Sequence, residues 1–389
     1  AEAISATQLS SERFFQRPDN KHTEYNANRK SLTGTGGQVV IGKKSGNLVS
    51  DLGVTWQSPE LDLNDVGFLP QTDLINQWFW MQYRILKPKG ITRSQRYNIN
   101  EWREYDFGGR NLNEGYNVNA HAEFKNFWQA GGGVTYRVRA ASNNDLRGGP
   151  TLRYPGMFYY WGYVNTDHRK KFYAMLTPEF GFGQKNYSRS MFMELRLTWR
   201  PTNALNLSLA PSYSRNQNEM QYVATADASG EVRYVVGRID QNTVRMVIRA
   251  TYMLTPNLSI QYYGQPFGTA GKYSGFKSVT DPYANEYSGR FIPLTSMLTS
   301  LNNSYQVDEN GDAAADYSFG KPDFNFGQFR SNMVMRWEYI PGSTFFLVWT
   351  RERNGAFYDS HPDHNSYSFN FDQKGHNIFL MKFTYRFRA

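Results

Sequence analysis

The residues from Met191 to Tyr213 alternate between two kinds of side chain. In the first half, methionine, leucine and tryptophan occupy every second position, with Phe192 and then glutamate, arginine and threonine between them. After Pro201 the alternation resumes, with leucine against asparagine and serine. Because alternate side chains of a strand point to opposite faces, this pattern predicts two antiparallel strands, each with one apolar and one polar face. The residues Pro201-Thr202-Asn203 predict the tight turn between them.

The same alternation recurs down the chain, for example at 244–252, 329–339 and 379–387. These runs reach the roughly 9–11 residues that a tilted strand needs to cross a bilayer, whereas strands of soluble proteins centre on about five or six. Tight turns at Pro201, Pro256 and Pro341 alternate with long loops, as in outer-membrane barrels. The sequence therefore predicts an all-β fold, an antiparallel transmembrane β-barrel with roughly sixteen strands in this chain, which could be part of a larger barrel.

The composition is consistent with a transmembrane barrel. In such a barrel the lipid-facing apolar residues alternate with polar ones, so the chain has no long apolar run. Aromatic residues make up 16% of the chain, which girdles at two membrane interfaces would explain. Mean hydropathy is −0.65, and no run of about 18 apolar residues predicts a transmembrane helix. There is no cysteine, which excludes disulfides and thiolate metal sites. A soluble β-sandwich or propeller remains the structural alternative, because such folds alternate too.

The pattern predicts a single domain over 1–389 with long surface loops at about 216–240, 267–323 and 354–374. A first strand is predicted from Ser5 to Phe15, and an inner hairpin about Asp227 to Gly230. The opening residues are neither basic nor long and apolar, so we expect no signal peptide among them. Since the strand pattern starts almost at once, we expect a mature or truncated piece of a longer protein.

The net charge of +9 raises the question of an anionic partner. We expect no nucleic acid, because the basic residues are spread singly along strands and form no RNA-binding signature. On the predicted inward face they favour either an electropositive lumen for anionic solutes or glycans, or a lattice of ion pairs that stiffens the interior, with Glu194 and Glu338 as partners. The predicted lumen-facing basic residues are Arg196, Arg245, Arg249, Arg330, Arg336, Lys382 and Arg386.

The acidic segment that begins at Asp308 is a candidate calcium loop. Asp308, Asn310 and Asp312 supply oxygen ligands at positions 1, 3 and 5 of such a loop. Position 6, normally glycine, is Ala313, and position 12 is Phe319 instead of a carboxylate. Calcium is therefore the one cofactor predicted, with an exposed acidic turn as the alternative.

The sequence gives only weak evidence for another metal site or for catalysis. His361, Asp363 and His364, with Asp359, could bind a metal, although a solvated loop explains them as well. The GxSxG, HExxH and P-loop motifs are absent, and no catalytic set stands out, so we predict that the chain is not an enzyme. Carboxylate pairs for glycoside hydrolysis stay open, since their separation is spatial.

Several phrases resemble a known family. They are LNDVGF from Leu63, INQW from Ile75, DFGGR from Asp106, LRGGP from Leu146, DHRK from Asp167 and LTWRPTNALNLSLAPSYSRN from Leu197. Together with IRATYMLTPNLSIQYYGQPF and the PDFNF phrase nearer the C-terminus, they are similar to a family of outer-membrane proteins abundant in Bacteroidota and of unassigned function. The resemblance implies a barrel that begins upstream of this segment, with a carbohydrate-binding family 9-like domain before it.

Two functions follow as hypotheses. The favoured one is an outer-membrane barrel that binds or passes solutes or glycans, or forms the membrane scaffold of a surface complex. Its partners would be outer-membrane lipid, a glycan or anionic solute, and other outer-membrane or periplasmic proteins. The alternative is a cell-envelope enzyme that acts on glycans through loop carboxylates.

Overall fold

The chain folds almost wholly into β-strands. A computed structural model describes residues 2–64, 67–356 and 374–387, with the side chain of residue 139 left out. It contains one short helix, α1 (Glu2–Leu9), and two 3₁₀ turns, Gln184–Asn186 and Tyr287–Arg290. The strands are β1 (Gly36–Lys43), β2 (Leu48–Gln57), β3 (Leu74–Ile85), β4 (Thr92–Tyr105), β5 (Asn111–Phe124), β6 (Gln129–Ser142), β7 (Leu152–Tyr154), β8 (Met157–Asn165), β9 (Phe172–Gly183), β10 (Ser188–Trp199), β11 (Leu205–Ala228), β12 (Glu231–Thr255), β13 (Leu258–Val279), β14 (Phe291–Pro293), β15 (Leu298–Leu301), β16 (Ser304–Val307), β17 (Tyr317–Gly320), β18 (Phe324–Ile340), β19 (Ser343–Ala356) and β20 (His376–Thr384).

Seventeen strands form one antiparallel sheet, and β15, β16 and β17 form a second, small one. The large sheet is a meander in which each long strand pairs with the next long strand along the chain. The short strands β7 and β14 pair only at the ends of β6 and β13. Within the described residues β1 pairs only with β2 and β20 only with β19, so these residues do not close the sheet into a barrel.

The connections differ sharply between the two ends of the strands. At one end, here called the turn end, hairpins close over a few residues, as at Pro201-Thr202-Asn203 between β10 and β11. Gly342 adopts a φ of 84° between β18 and β19, a conformation that favours glycine. At the other end, the loop end, long connections follow β2, β6 and β13, and β11 and β12 project as a long hairpin. The predicted hairpin about Asp227 to Gly230 is confirmed, since β11 ends at Ala228 and β12 begins at Glu231.

The apolar face of the sheet is the more exposed face. On β10, Leu195 is 40% exposed and Trp199 50%, whereas Thr198 on the polar face is 5% exposed. Cross-strand register continues the apolar rows: Leu207 pairs with Ala250, which pairs with Tyr262. Five apolar residues predicted to share this face are all outside the buried class, namely Leu195, Leu207, Met246, Met335 and Phe383. They do not lie in an interior between stacked sheets.

The buried apolar clusters lie at the loop end. One gathers Leu146 from the loop after β6, Leu152 from β7 and Met220 from β11. The second joins Val235 of the projecting hairpin to Leu294 and to the small sheet. The long connections therefore form a packed layer of their own at one end of the strands. No helix in the described part of the chain has the length and apolar character needed to cross a membrane.

Two sequence predictions are corrected. The first strand predicted from Ser5 to Phe15 is wrong, because this segment forms helix α1 and a coil. Ala3 and Ala6 favour a helix. The side-chain amide of Gln8 donates to the carbonyl of Asn26 and accepts from its N–H, which holds the helix in place. The long loop predicted at 267–323 starts later, because β13 continues to Val279. β13 pairs with β12 as far as Ser278 and with β18 as far as Gly271.

Candidate functional site

The polar face of the sheet carries a continuous network of side-chain hydrogen bonds. On β4 and β5, Asn98 donates to Asn119 over 2.6 Å, and Asn100 donates to Asn117 over 3.0 Å. Asn117 donates in turn to Thr135 of β6 over 2.8 Å. Because these amides are supplied in register by adjacent strands, they satisfy one another and leave a hydrophilic wall.

Most of the predicted basic residues on this face are ion-paired. Glu194 contacts both Arg196, at 2.8 Å, and Arg245, at 3.3 Å. Arg330 contacts Glu352 at 3.1 Å, and Arg336 contacts Glu338 at 2.9 Å. These contacts favour the lattice of ion pairs over an uncompensated positive field.

The remaining three predicted basic residues have different surroundings. Arg249 has no ion pair with a described carboxylate, and its guanidinium carbon lies 5.0 Å from the centroid of the Tyr263 ring. Lys382 is exposed on β20, in the same cross-strand row as Arg336. Arg386 lies beyond the end of β20, where its backbone N–H donates to Ser343 Oγ over 3.0 Å. That these residues face a lumen stays a prediction.

Arg249 and Arg196 line the same cavity on the polar face, near the turn end. This cavity, here called the turn-end pocket, has a volume of about 490 Å³ and is built by β6, β8, β9, β10, β11 and β12. Thr198 pairs in register with Ser208, and Ser208 pairs with Arg249, so hydroxyl groups and a guanidinium follow one row across three strands. No carboxylate of the described residues lines it. Both arginines are predicted from the sequence as residues of the polar face, but their proximity in one cavity depends on the pairing of β10, β11 and β12.

A second cavity of about 480 Å³ lies at the loop end of the same face. Its walls combine Tyr154, Tyr159 and Tyr187 with Glu104 and Arg137. Burial raises the pKa of Tyr187 well above its ordinary value, so its hydroxyl stays protonated at neutral pH. This cavity could not be predicted from the sequence, because its residues come from seven separate strands and carry no common motif.

The segment between helix α1 and β1 is fastened to the loop end by a buried ionic cluster that the sequence analysis missed. His22 Nε2 lies 2.8 Å from Asp73 Oδ1, and Arg17 contacts Asp73 at 3.5 Å. Arg110 pairs with Asp19, and Thr151 donates its backbone N–H to Asp19 over 3.0 Å. Residues far apart in sequence therefore hold three loops and the N-terminal segment together.

Burial shifts the pKa values of Asp73 and Arg17 in this cluster. It raises the pKa of the Asp73 carboxyl, although the Phe107 N–H and the His22 ring oppose the shift. It also lowers the pKa of the Arg17 guanidinium. Each of these buried charges therefore depends on the other for compensation.

His22, Asp73 and Asp106 have ligand atoms within 4.8 Å of one another, and they are donor types that bind divalent metals. Arg17 already places a positive charge against Asp73, however, so we interpret the cluster as a structural fastening. The signal available in the sequence was indirect. Asp73 precedes the INQW phrase, and Asp106 opens the DFGGR phrase.

The predicted calcium loop is present as a compact exposed turn. Asp308 accepts backbone N–H bonds from Gly311, over 2.6 Å, and from Ala313, over 2.9 Å. Ala313 has a φ of 68°, the left-handed conformation for which calcium loops use glycine. Asn310 and Asp312 likewise accept N–H bonds from their own turn. Calcium binding stays a prediction.

We expect calcium, titrated into the protein to millimolar concentration, to change its tyrosine fluorescence saturably. Tyr317 would report the change, because its hydroxyl donates to Glu309 within this loop over 3.1 Å. Asp308→Asn should abolish the response, since it removes a charged ligand. An Asp227→Asn variant, which changes an aspartate in the neighbouring hairpin, should respond normally. No calcium-dependent change in the unmodified protein would exclude the site.

The histidine pair His361 and His364, with Asp359 and Asp363, lies outside the described residues.

A comparison with protein families matches more than half of the chain. The profile of a family described as a domain of unknown function, DUF5916, matches residues 6–286. The chain belongs to the DUF5916 family. A search of curated proteins finds no match. The DUF5916 match covers the ionic cluster, the turn-end pocket and the strands between them, and it assigns them no activity.

Proposed function

We propose that the protein is a β-barrel of the outer membrane of Bacteroidota, preceded by a carbohydrate-binding domain, which binds or passes small solutes or glycan fragments. The observation that carries the proposal is the reversed exposure of the sheet. In a water-soluble sheet the apolar face is the covered one, whereas here Leu195 and Trp199 are open and Thr198 is covered. Lipid is the solvent that matches such a face.

Closure of the sheet is part of this proposal. Fifteen long strands succeed one another antiparallel, so β1 and β20 run in the same direction, from the loop end to the turn end. An antiparallel closure therefore needs an odd number of further strands between them. One such strand would give an even-numbered barrel, as bacterial barrels usually have. Both edge strands are exposed along nearly their whole length, as unpaired edges would be.

The orientation follows from the connections. Bacterial barrels place short turns in the periplasm and long loops outside the cell. The packed layer at the loop end would then face the medium, where it can contact a glycan or another surface protein. The hydrogen-bonded polar face would line the interior. The proposal assigns no catalytic step to the chain.

The protein produced from its own gene should fractionate with the outer membrane, and it should require detergent for extraction. On a gel it should migrate differently before and after boiling, because an intact barrel resists unfolding in detergent. In liposomes, conductance or solute uptake would support an open pathway, and a folded, membrane-bound protein without flux would leave the scaffold function. Recovery from the aqueous fraction without detergent would contradict the proposal.

A further inference from the structure

The turn-end pocket carries an excess of positive charge. Several other arginines of the polar face are matched by carboxylates, such as Arg330 by Glu352 and Arg336 by Glu338. The pocket is lined by Arg196, Arg249 and His168, and no described Asp or Glu side chain lines it. Arg200 adds a further cation beside it, since its guanidinium donates to the hydroxyl of the lining residue Tyr173 over 2.9 Å.

Arg249 is the lining arginine that has no ion pair with a carboxylate of the described residues. Arg196 is tied to Glu194 at 2.8 Å, which partly neutralises it. Arg249 is exposed, has no ion pair with a described carboxylate, and keeps its N–H donors open beside the Tyr263 ring. An arginine guanidinium offers a planar fork that matches phosphate and carboxylate oxygens with two parallel hydrogen bonds. The pocket therefore holds a donor set suited to an anion.

The other lining residues are suited to bind the hydroxyl groups of a ligand. Thr198 and Ser208 contribute hydroxyl groups on either side of the β10–β11 pairing, and Asn206 pairs in register with Thr251 one step nearer the turn end. Hydroxyl and amide groups both donate and accept hydrogen bonds. The volume of about 490 Å³ exceeds the needs of a bare ion and falls within the roughly 300–1,000 Å³ of small-molecule sites.

We propose that the turn-end pocket is a binding site for the oxyanion group of a small, hydroxyl-rich solute, such as a sugar phosphate, with Arg249 as its principal cation and Arg196 as the second. This inference rests on the proposed function and deepens it, because it names the class of solute that the polar face selects. Because the pocket lies at the turn end, it would bind the solute where the barrel opens to the periplasm.

The test is titration calorimetry on the full-length protein, purified in detergent, at fixed ionic strength. Glucose 6-phosphate is expected to bind saturably, and glucose to bind far more weakly because it lacks the oxyanion. Inorganic phosphate is the third probe, and its comparison with glucose 6-phosphate separates an ion site from a solute site. Arg249→Gln should weaken the binding of glucose 6-phosphate about tenfold or more, since a charge-assisted hydrogen bond is lost. Arg249→Lys should recover part of it, because it keeps the charge without the fork.

Arg330→Gln is the matched control, because Arg330 lies on the same face in an ion pair outside the pocket. It should leave the affinity unchanged. The inference is overturned if glucose 6-phosphate shows no saturable binding, if glucose or inorganic phosphate binds as tightly, or if both glutamine variants lose affinity equally. Membrane fractionation and the shift on boiling report on the barrel independently. A membrane-bound, folded protein that fails to bind the probe would contradict the pocket and leave the proposed function standing.

Discussion

Replacing Leu195 with arginine is expected to destabilise the folded protein in a bilayer by about 2–4 kcal/mol, the cost of an arginine at the lipid-facing midplane of a barrel. Leu195 lies in the middle of β10, on the apolar face, and is 40% exposed. The measurement is the urea midpoint for unfolding from liposomes, together with the fraction of protein that migrates as the folded form before boiling. Both should fall.

The matched control is Gln328→Arg, which adds the same group to the polar face. Gln328 donates to Glu352 over 3.0 Å, so a guanidinium there has a carboxylate partner. Its effect should be small. If the sheet instead faced water on its apolar side, Leu195→Arg would be an ordinary surface change, within about 0.5 kcal/mol. Equal, small effects of the two variants would therefore refute the lipid-facing assignment.

Asp73→Ala is expected to release the N-terminal segment, residues 10–35, from the loop end. The change leaves the buried guanidinium of Arg17 without its nearest carboxylate, and breaking such a buried pair costs about 3–5 kcal/mol. It also removes the acceptor of the His22 ring and of the Phe107 N–H. Limited proteolysis should cut this segment much faster in the variant, while the sheet stays intact.

Asp62→Ala provides the comparison for this effect. Asp62 contacts Arg13 of the same segment at 3.6 Å, but its side chain is 46% exposed, against 7% for Asp73. The Asp62 carboxylate is exposed, and the buried Arg13 guanidinium keeps its hydrogen bonds to the Leu61 carbonyl and the Ser10 hydroxyl without it. The cutting rate should therefore change much less than in Asp73→Ala. A second variant, Asp73→Asn, keeps the side-chain shape and tests the charge alone. Cutting as slow in both Asp73 variants as in the unmodified protein would show that the cluster does not hold the segment.

The strands were the most predictable part of this protein. Alternation with a period of two is a local property, so the hairpin about Pro201 and the one about Asp227 to Gly230 could be read from neighbouring residues. Elements with weak or mixed signals were less predictable. Helix α1 and the N-terminal segment after it show no clear alternation of apolar and polar residues. Their path depends on contacts such as that of Gln8 with Asn26, 18 residues away. The second half of β13 was predicted as a loop, and it is extended in the structure, where it pairs with β12 and β18.

The sites divide in the same way. The sequence identified Arg196 and Arg249 as residues of the polar face, and Asp308 as the start of an acidic turn, because each conclusion needs only local pattern. It could not show that Glu194 also contacts Arg245 while Arg249 has no ion pair with a described carboxylate, since these contacts depend on the register between β10, β11 and β12. It could not find the contact between His22 and Asp73, which are 51 residues apart.

The amino-acid sequence by itself determined that the chain is built of long strands with one apolar and one polar face. The period of the side chains is set by the backbone geometry of each strand, and no distant contact is needed to read it. The tertiary structure alone decided which strands are neighbours, which charges are compensated and which loops cover the N-terminal segment. Those properties depend on register between strands, which places side chains from distant parts of the chain within a few ångströms of one another.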